Sequence, residues 1–200
     1  MMLPTHAIAG LAIATPLLVL APDHAAVALA GGLVGGVLPD LDLYSGHRRT
    51  LHYPSGYTLA VLPAAGFAAI LQTPLLIALT FVLMGAALHC RMDRYGGGLE
   101  LRPWEATSER AVYDHVRGRW RPPKRWIQYD GAPSDVGLMV LVGAPLFVVL
   151  DGPFRWVVAA ALVTGATYSL LRRRLATLAP VVFGTVPESI AAHVPDRYRQ

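Results

Sequence analysis

The stretch from Tyr57 to Leu88, YTLAVLPAAGFAAILQTPLLIALTFVLMGAAL, contains no Asp, Glu, Lys or Arg. The stretch from Val136 to Leu150 is also free of these residues. Uncharged runs this long are hard to explain in a water-soluble domain of 200 residues, whereas membrane-crossing helices need about 20 apolar residues each. The sequence therefore predicts a membrane protein.

The composition of the whole chain supports this prediction. Hydrophobic residues make up 54% of the chain and charged residues only 15%, whereas soluble domains carry about 25% charged residues. We predict an all-α fold, a polytopic helical bundle with about six transmembrane or membrane-embedded helices. The six apolar segments, each bounded by Pro, Gly or charge, are residues 5–21, 25–38, 57–71, 74–90, 136–150 and 154–171.

The first two segments differ from the others. No Lys or Arg precedes the first segment, so we expect a retained helix there rather than a cleaved signal peptide. The second segment would span only about 21 Å at 1.5 Å per residue. Its helix is therefore predicted to be half-buried, tilted, or extended by Pro39 and the residues after it.

Basic residues are distributed unevenly between the two sides of the predicted bundle. With six spans, sixteen of the seventeen Lys and Arg residues lie on one side, and only Arg155 lies opposite. Because basic residues accumulate in cytoplasmic loops, we predict a multi-pass protein of the cell membrane with both termini in the cytoplasm. The predicted organisation is a membrane domain at 1–175 with a cytoplasmic loop at 91–135, followed by a C-terminal tail at 176–200.

The loop at 91–135 carries nine basic and seven acidic residues, which is too mixed for a polybasic tail. Its section from Arg117 to Trp126, RGRWRPPKRW, interleaves basic residues with Trp, a combination that suits the lipid headgroup layer. A nucleic-acid groove would use the same residue types. Beside a membrane, however, we expect the lipid bilayer as a partner and no nucleic acid, and the oligomeric state stays open.

Ionisable side chains from four separate segments gather at one predicted membrane boundary. His89 and Asp93 are spaced i and i+4, so on a helix they share a face. Asp40 and Asp42 follow a proline, which suits a turn or a strand-like piece that directs both carboxylates to one side. Imidazole and carboxylate bind Zn, Mn, Fe or Ni, and a metal would explain carboxylates that stay ionised near a bilayer. The candidate metal ligands are His6, Asp40, Asp42, His52, His89 and Asp93.

Each candidate also has a purely structural interpretation. Asp40 and Asp42 could end helices, and His6 could be a polar residue at a helix start. If every one of these structural interpretations were correct, unrelated residues from four segments would lie at one membrane depth by coincidence. A single shared site explains their common position without coincidence. Cys90 is rotated by about 100° from His89 on a helix, so we expect it to pack rather than to bind metal.

Several short motifs carry a resemblance to a known family. They are Thr5-His6, Leu38-Pro-Asp-Leu-Asp42, His47-Arg-Arg-Thr-Leu-His52, His89-Cys-Arg-Met-Asp93 and the segment from Gly98 to Trp104. In this order, over about the first half of the chain, they resemble the membrane-bound, metal-dependent hydrolases typified by YdjM. The resemblance implies a divalent metal ion, for which we expect Zn or Mn. The ligands it implies are His6, Asp40, His52, His89 and Asp93, with Asp42 and His47 as further candidates.

The predicted function is a membrane-bound hydrolase whose metal site acts on a phosphoester or another small-molecule or lipid-like substrate. Asp40, Asp42 and His52 are the predicted catalytic residues. A basic group, His47, Arg48 and Arg49, is the candidate for holding an anionic part of the substrate.

Two other classes of protein remain open. The first is a metal or ion transporter, which should place polar residues through the depth of several helices, although segments 57–71 and 136–150 contain almost none. The second is a non-catalytic membrane scaffold in which a metal only holds the helices together.

Overall fold

The computed structural model describes residues 1–187, 189, 193–195 and 198. Most of the described chain is helical. Its α-helices are α1 (Leu3–Ala14), α2 (Leu17–Leu20), α3 (Pro22–Val37), α4 (Pro54–Leu71), α5 (Pro74–Tyr95), α6 (Pro133–Val149) and α7 (Gly152–Gly184). Two short 3-10 turns are Leu38–Asp42 and Pro103–Glu105, and the strands are β1 (Val112–Asp114) and β2 (Arg119–Arg121).

Prolines mark where most of these helices begin. All the α-helices longer than one turn carry Pro at the first or second helical position. A proline there has the backbone angle that a helix needs, and its missing N–H group would have had no helical partner. The chain thus divides its apolar sequence into separate helices without needing charged residues as boundaries.

Five helices of the described chain are long and apolar enough to cross a membrane. They are Leu3–Leu20, Pro22–Asp42, Pro54–Leu71, Pro74–Tyr95 and Gly152–Gly184. The prediction of about six spans is not confirmed, because α6 has only 17 residues and a length of about 25 Å at 1.5 Å per residue. Of the three alternatives for the second segment, the structure shows the extension beyond Pro39, since the 3-10 turn Leu38–Asp42 continues α3.

The outer faces of the bundle are apolar. α4 buries only Ala64 and Ala68 among its residues, while Leu62 and Ile70 on the same helix are more than 70% exposed. On α7, Leu170 is similarly exposed. Large apolar side chains over whole helix faces are unusual in soluble monomers, so these faces fit a protein surrounded by lipid.

The centre of the bundle is formed by α1, α3 and α5, which approach closely at glycines. A Cβ atom on Gly85 of α5 would lie 2.7 Å from the carbonyl oxygen of Gly32 on α3. A Cβ on Gly35 would lie 2.8 Å from the carbonyl carbon of Val82. Small residues at such positions let helix backbones pack tightly, and this packing aligns the end of α3 with the last turns of α5.

The other helices complete the core around α1. Ile8 of α1, Met139 of α6 and Val158 of α7 belong to one buried apolar cluster. The helix α7 continues without interruption to Gly184, so the predicted boundary between residues 175 and 176 lies inside a helix. The division into a domain and a tail stays a prediction.

The connection between α5 and α6 contains a small antiparallel hairpin. In it, Val112 pairs with Arg121 and Asp114 pairs with Arg119. The prediction of an all-α fold omitted these strands, because three residues are too few for an alternating pattern to be recognised. The backbone N–H of Tyr113 donates a hydrogen bond of 2.9 Å to the carbonyl of Arg48, which attaches the hairpin to the segment between α3 and α4.

Candidate metal centre

Four of the predicted ligands converge at one end of the bundle. Asp40 lies in the turn after α3, His52 in the segment before α4, and His89 and Asp93 lie on α5. One ligand atom from each lies within 4.8 Å of all the others. Such a group can hold a metal ion. His89 and Asp93 share a helix face as their spacing predicts, because α5 continues to Tyr95.

The distances within this group are short. The His89 Nε2 atom lies 3.3 Å from both Asp40 Oδ1 and Asp93 Oδ2. The His52 Nε2 atom lies 3.2 Å from Asp93 Oδ2 and 3.7 Å from Asp40 Oδ1. Two imidazole nitrogens and two carboxylate oxygens therefore face a common point.

The protonation of His89 is set by α3. Its Nδ1 atom lies 2.7 Å from the carbonyl oxygen of Gly36, and since a carbonyl only accepts, Nδ1 must carry a proton. In a neutral imidazole Nε2 is then an acceptor, and it faces two carboxylate oxygens that are also acceptors. This buried Nε2 has no hydrogen-bond partner among the described residues. A cation between these atoms would satisfy all of them.

His52 is held in the same way by Asp42. The His52 Nδ1–H group donates to Asp42 Oδ2 over 2.9 Å, which directs Nε2 towards Asp93. Burial alone would lower the pKa of His52, but the hydrogen bonds to Asp42 and Asp93 outweigh burial and raise this pKa above its ordinary value. Carboxylates that orient a metal-binding histidine from its far side are a common feature of metal sites.

Asp42 does not belong to the group of four. Its Oδ2 atom also accepts hydrogen bonds from the backbone N–H groups of Leu51, at 3.0 Å, and Arg49, at 3.3 Å. Its Oδ1 atom lies 3.1 Å from His47 Nδ1. Asp42 therefore shapes the segment that carries His52, a role that the pattern of two aspartates did not reveal.

His6 also lies outside the group of four. Its Nε2 atom donates to the other oxygen of Asp93, Oδ1, over 3.1 Å. Its ring stacks on that of His89 with centroids 3.7 Å apart. His6 is thus adjacent to the centre but contacts the outer side of the Asp93 carboxylate.

The predicted substrate-binding residues have different surroundings. Arg48 is buried, its guanidinium lies 3.3 Å from Asp93 Oδ1, and it donates to the carbonyl of Gly97 over 2.9 Å. Burial alone would lower the pKa of Arg48, but the Asp93 carboxylate holds it above its usual value. Arg49 is exposed, with its guanidinium carbon 4.8 Å from the centre of the Tyr113 ring.

His47 lies between the two aspartates of the turn. Its Nδ1 atom is 3.1 Å from Asp42 Oδ1 and 3.8 Å from Asp40 Oδ1. Arg48 therefore balances the charge of Asp93, while His47 lies beside Asp40 and is partly exposed.

One member of the group reaches open space. The side chains of His52, His89 and Asp93 are at most 1% exposed, whereas that of Asp40 is 19% exposed. Catalytic metal sites keep one coordination position open, unlike structural sites. The Asp40 side is the one from which a small molecule can approach.

A second cluster nearby was missed from the sequence. Asp130 accepts hydrogen bonds from Arg172 Nε, at 2.9 Å, and from the hydroxyl of Tyr168. Burial would raise the pKa of Asp130, but the Arg172 guanidinium holds it below its usual value. Nothing in the sequence pairs Asp130 with Arg172, which belongs to an arginine triplet that resembles ordinary cytoplasmic charge.

The donor set defines what this centre can do. Two imidazoles and two carboxylates suit a borderline divalent ion such as Zn²⁺ or Mn²⁺, and the geometry does not distinguish between these metals. Neither a protein-family model, nor a curated protein, nor a solved structure matches this chain.

Proposed function

We propose that this protein is a membrane-bound, metal-dependent hydrolase of the YdjM-like kind. Asp40, His52, His89 and Asp93 would hold one divalent ion. The observation that carries the proposal is the arrangement around His89, whose Nε2 atom faces two carboxylate oxygens at 3.3 Å while its Nδ1 atom contacts the Gly36 carbonyl. A bound divalent ion supplies an activated water molecule and polarises an ester oxygen.

The surrounding residues of the chain have distinct tasks in this proposal. Asp42 orients His52, and Arg48 balances the charge of Asp93. The Asp40 carboxylate lies on the open side, where it meets both the metal and the substrate. His47, whose Nδ1 is 3.8 Å from Asp40 Oδ1, is placed to hold a proton or a polar group of the substrate there.

The proposal includes a location. The apolar helix faces support insertion in the cell membrane, and the accumulation of basic residues on one side supports cytoplasmic termini. The metal group would then lie at the cytoplasmic boundary of the bilayer. Water and an amphipathic substrate can both reach this depth.

Metal analysis of the purified full chain in detergent tests the centre first. We expect about one Zn or Mn ion per chain, and loss of this ion in Asp40→Ala and His52→Ala. Asp23→Ala and His24→Ala at the opposite end of α3 are the matched controls and should keep the metal. A wild-type protein without stoichiometric metal, or site variants that bind it unchanged, would contradict the proposal.

Activity assays separate the hydrolase from the alternatives. The probes are bis(p-nitrophenyl) phosphate for phosphodiesters and p-nitrophenyl acetate for carboxylic esters, and we expect metal-dependent release of nitrophenol from at least one. Metal without hydrolysis would indicate a structural site, which the near-complete burial of His52, His89 and Asp93 would then explain. Metal-dependent flux into proteoliposomes would indicate a transporter.

A further inference from the structure

A cavity of about 670 Å³ adjoins the metal group on its open side. Asp40, the exposed member of the group, forms part of its wall together with His47 and Arg48. This volume falls within the roughly 300–1,000 Å³ of ordinary small-molecule sites. The cavity therefore connects with the proposed centre.

The two ends of the cavity differ in chemistry. Asp40, His47 and Arg48 line it beside the metal group, and its other charged side chains are those of Arg172 and the acidic residues Glu100 and Asp130. Further away the walls are apolar side chains of α3 and α7. These apolar residues are Leu33, Val37, Val157, Ala160 and Ala161.

The cavity as a whole extends along α7 within the predicted membrane, from a polar end at Arg172 to an apolar end at Val157. The α7 residues that line the cavity run from Val157 to Arg172, a distance of about 22 Å at 1.5 Å per residue. Half of a hydrocarbon core measures about 15 Å. The cavity is thus long enough for the chain of a lipid whose polar end lies beside Asp40.

We propose that this cavity binds one alkyl chain of the substrate, and that the substrate is a membrane lipid phosphoester. The inference rests on the proposed function and specifies its substrate class. A divalent ion held by the four ligands would suit an anionic phosphate, while the apolar wall that includes Val37 and Val157 suits hydrocarbon. In hydrolysis the water oxygen bonds to phosphorus, the P–O bond to the leaving alcohol breaks, and one proton of the water passes to that alcohol.

This inference is tested with two substrates that carry the same nitrophenyl phosphodiester group but differ in the alkyl chain. The assay uses the metal-loaded full chain in nanodiscs. The substrates are bis(p-nitrophenyl) phosphate, which has no chain, and p-nitrophenyl hexadecyl phosphate. The variants Ala160→Trp and Thr164→Trp fill the cavity from α7, where both residues line it and are exposed. Val163→Trp is the matched control, because Val163 is 67% exposed and is not part of the cavity wall.

We expect the cavity-filling variants to lose at least about tenfold in kcat/KM on the hexadecyl substrate, the effect of displacing two methylenes from apolar contact. Their activity on the chain-free substrate and their metal content should stay within twofold of wild type, as should all properties of Val163→Trp. Equal losses on both substrates, or no loss on either, would overturn the inference.

A labelling experiment keeps the inference testable if no hydrolysis is found. Hexadecyl phosphate with a photoreactive group in its chain should label α3 and α7 in the wild type and in Val163→Trp, and label Ala160→Trp at least about fivefold less. Equal labelling of the three proteins would overturn the chain site. If a photoreactive hexadecanol labelled the protein as strongly as the phosphate, the cavity would accept any alkyl chain of the bilayer. That result would overturn the claim that the substrate is a phosphoester. Failure of hydrolysis together with phosphate-dependent labelling would count against the proposed function alone.

Discussion

Two buried carboxylates of this protein, those of Asp93 and Asp135, are equally hidden but have opposite surroundings. Asp135 accepts hydrogen bonds from Thr5 Oγ1 and the backbone N–H of Met2, both at 2.8 Å, and from the N–H of Gly131 at 3.1 Å. Each of its oxygens thus faces a donor. The Oδ2 atom of Asp93 instead faces the Nε2 atoms of His52 and His89.

This difference separates a carboxylate that only holds the fold from one that belongs to the proposed metal group. Buried polar groups that are fully hydrogen-bonded need nothing further. Asp93 has Arg48 and His6 beside its Oδ1 atom, while its Oδ2 atom faces two imidazole nitrogens, an arrangement that also suits a divalent cation. We therefore expect changes at Asp135 to affect stability, and changes around Asp93 to affect metal binding.

The largest effect is expected from removing a ligand. His89→Ala should weaken metal binding at least about 100-fold, because a binding free energy of about 10–16 kcal/mol spread over four ligands is about 2.5–4 kcal/mol each. Competition with a fluorescent chelator measures the affinity. Cys90→Ala is the matched control, since Cys90 is a buried neighbour outside the group, and an equal loss there would show that any change in α5 disturbs the site.

A smaller effect on a different property is expected at Asp135. Asp135→Asn should lower the free energy of unfolding by about 2 kcal/mol, because at least one buried donor loses its acceptor. Thermal unfolding in detergent, with and without added metal, measures this change. The loss of unfolding free energy should be the same with and without metal, and the metal affinity should stay at the wild-type value. A loss that depends on metal would contradict the proposed difference between Asp93 and Asp135.

A smaller loss of metal affinity than that of His89→Ala is expected at Asp42. Asp42→Asn should weaken metal binding about tenfold, at the low end of the 10–100-fold range for groups behind a ligand, because the amide oxygen can still accept from His52 Nδ1–H. The chelator competition measures this loss too. An effect as large as that of His89→Ala would mean that Asp42 itself binds the metal.

The smallest effect is expected at Arg49. This exposed side chain contacts Tyr113 and has no contact with the group of four, so Arg49→Ala should change metal affinity less than twofold. Arg48→Ala should change it more, since Arg48 lies 3.3 Å from Asp93. Equal effects of the two variants on chelator competition would remove the distinction between these neighbouring arginines.

The sequence predicted those parts of the molecule that depend on local periodicity. The apolar segments and the shared face of His89 and Asp93 follow from spacing along one helix, whereas the length of the second segment left its extension beyond Pro39 as one of three alternatives. The different roles of Asp40 and Asp42 could not be predicted, because they depend on how a 3-10 turn directs two identical side chains. The Asp130 contacts with Arg172 join residues far apart in the chain, and no local pattern encodes such a pair.

The end of α3 has an electrostatic consequence for the centre. The α-helical part of α3 ends at Val37, and a 3-10 turn continues it to Asp42. The C-terminal end of such a helix carries a partial negative charge from aligned peptide dipoles, equivalent to about half an elementary charge. Asp40 and Asp42 lie in this last turn, so negative charge is placed where a helix dipole disfavours it, and the Gly36 carbonyl adds its own dipole beside His89. The partial negative charge of the helix end would therefore add to the attraction of this site for a divalent cation.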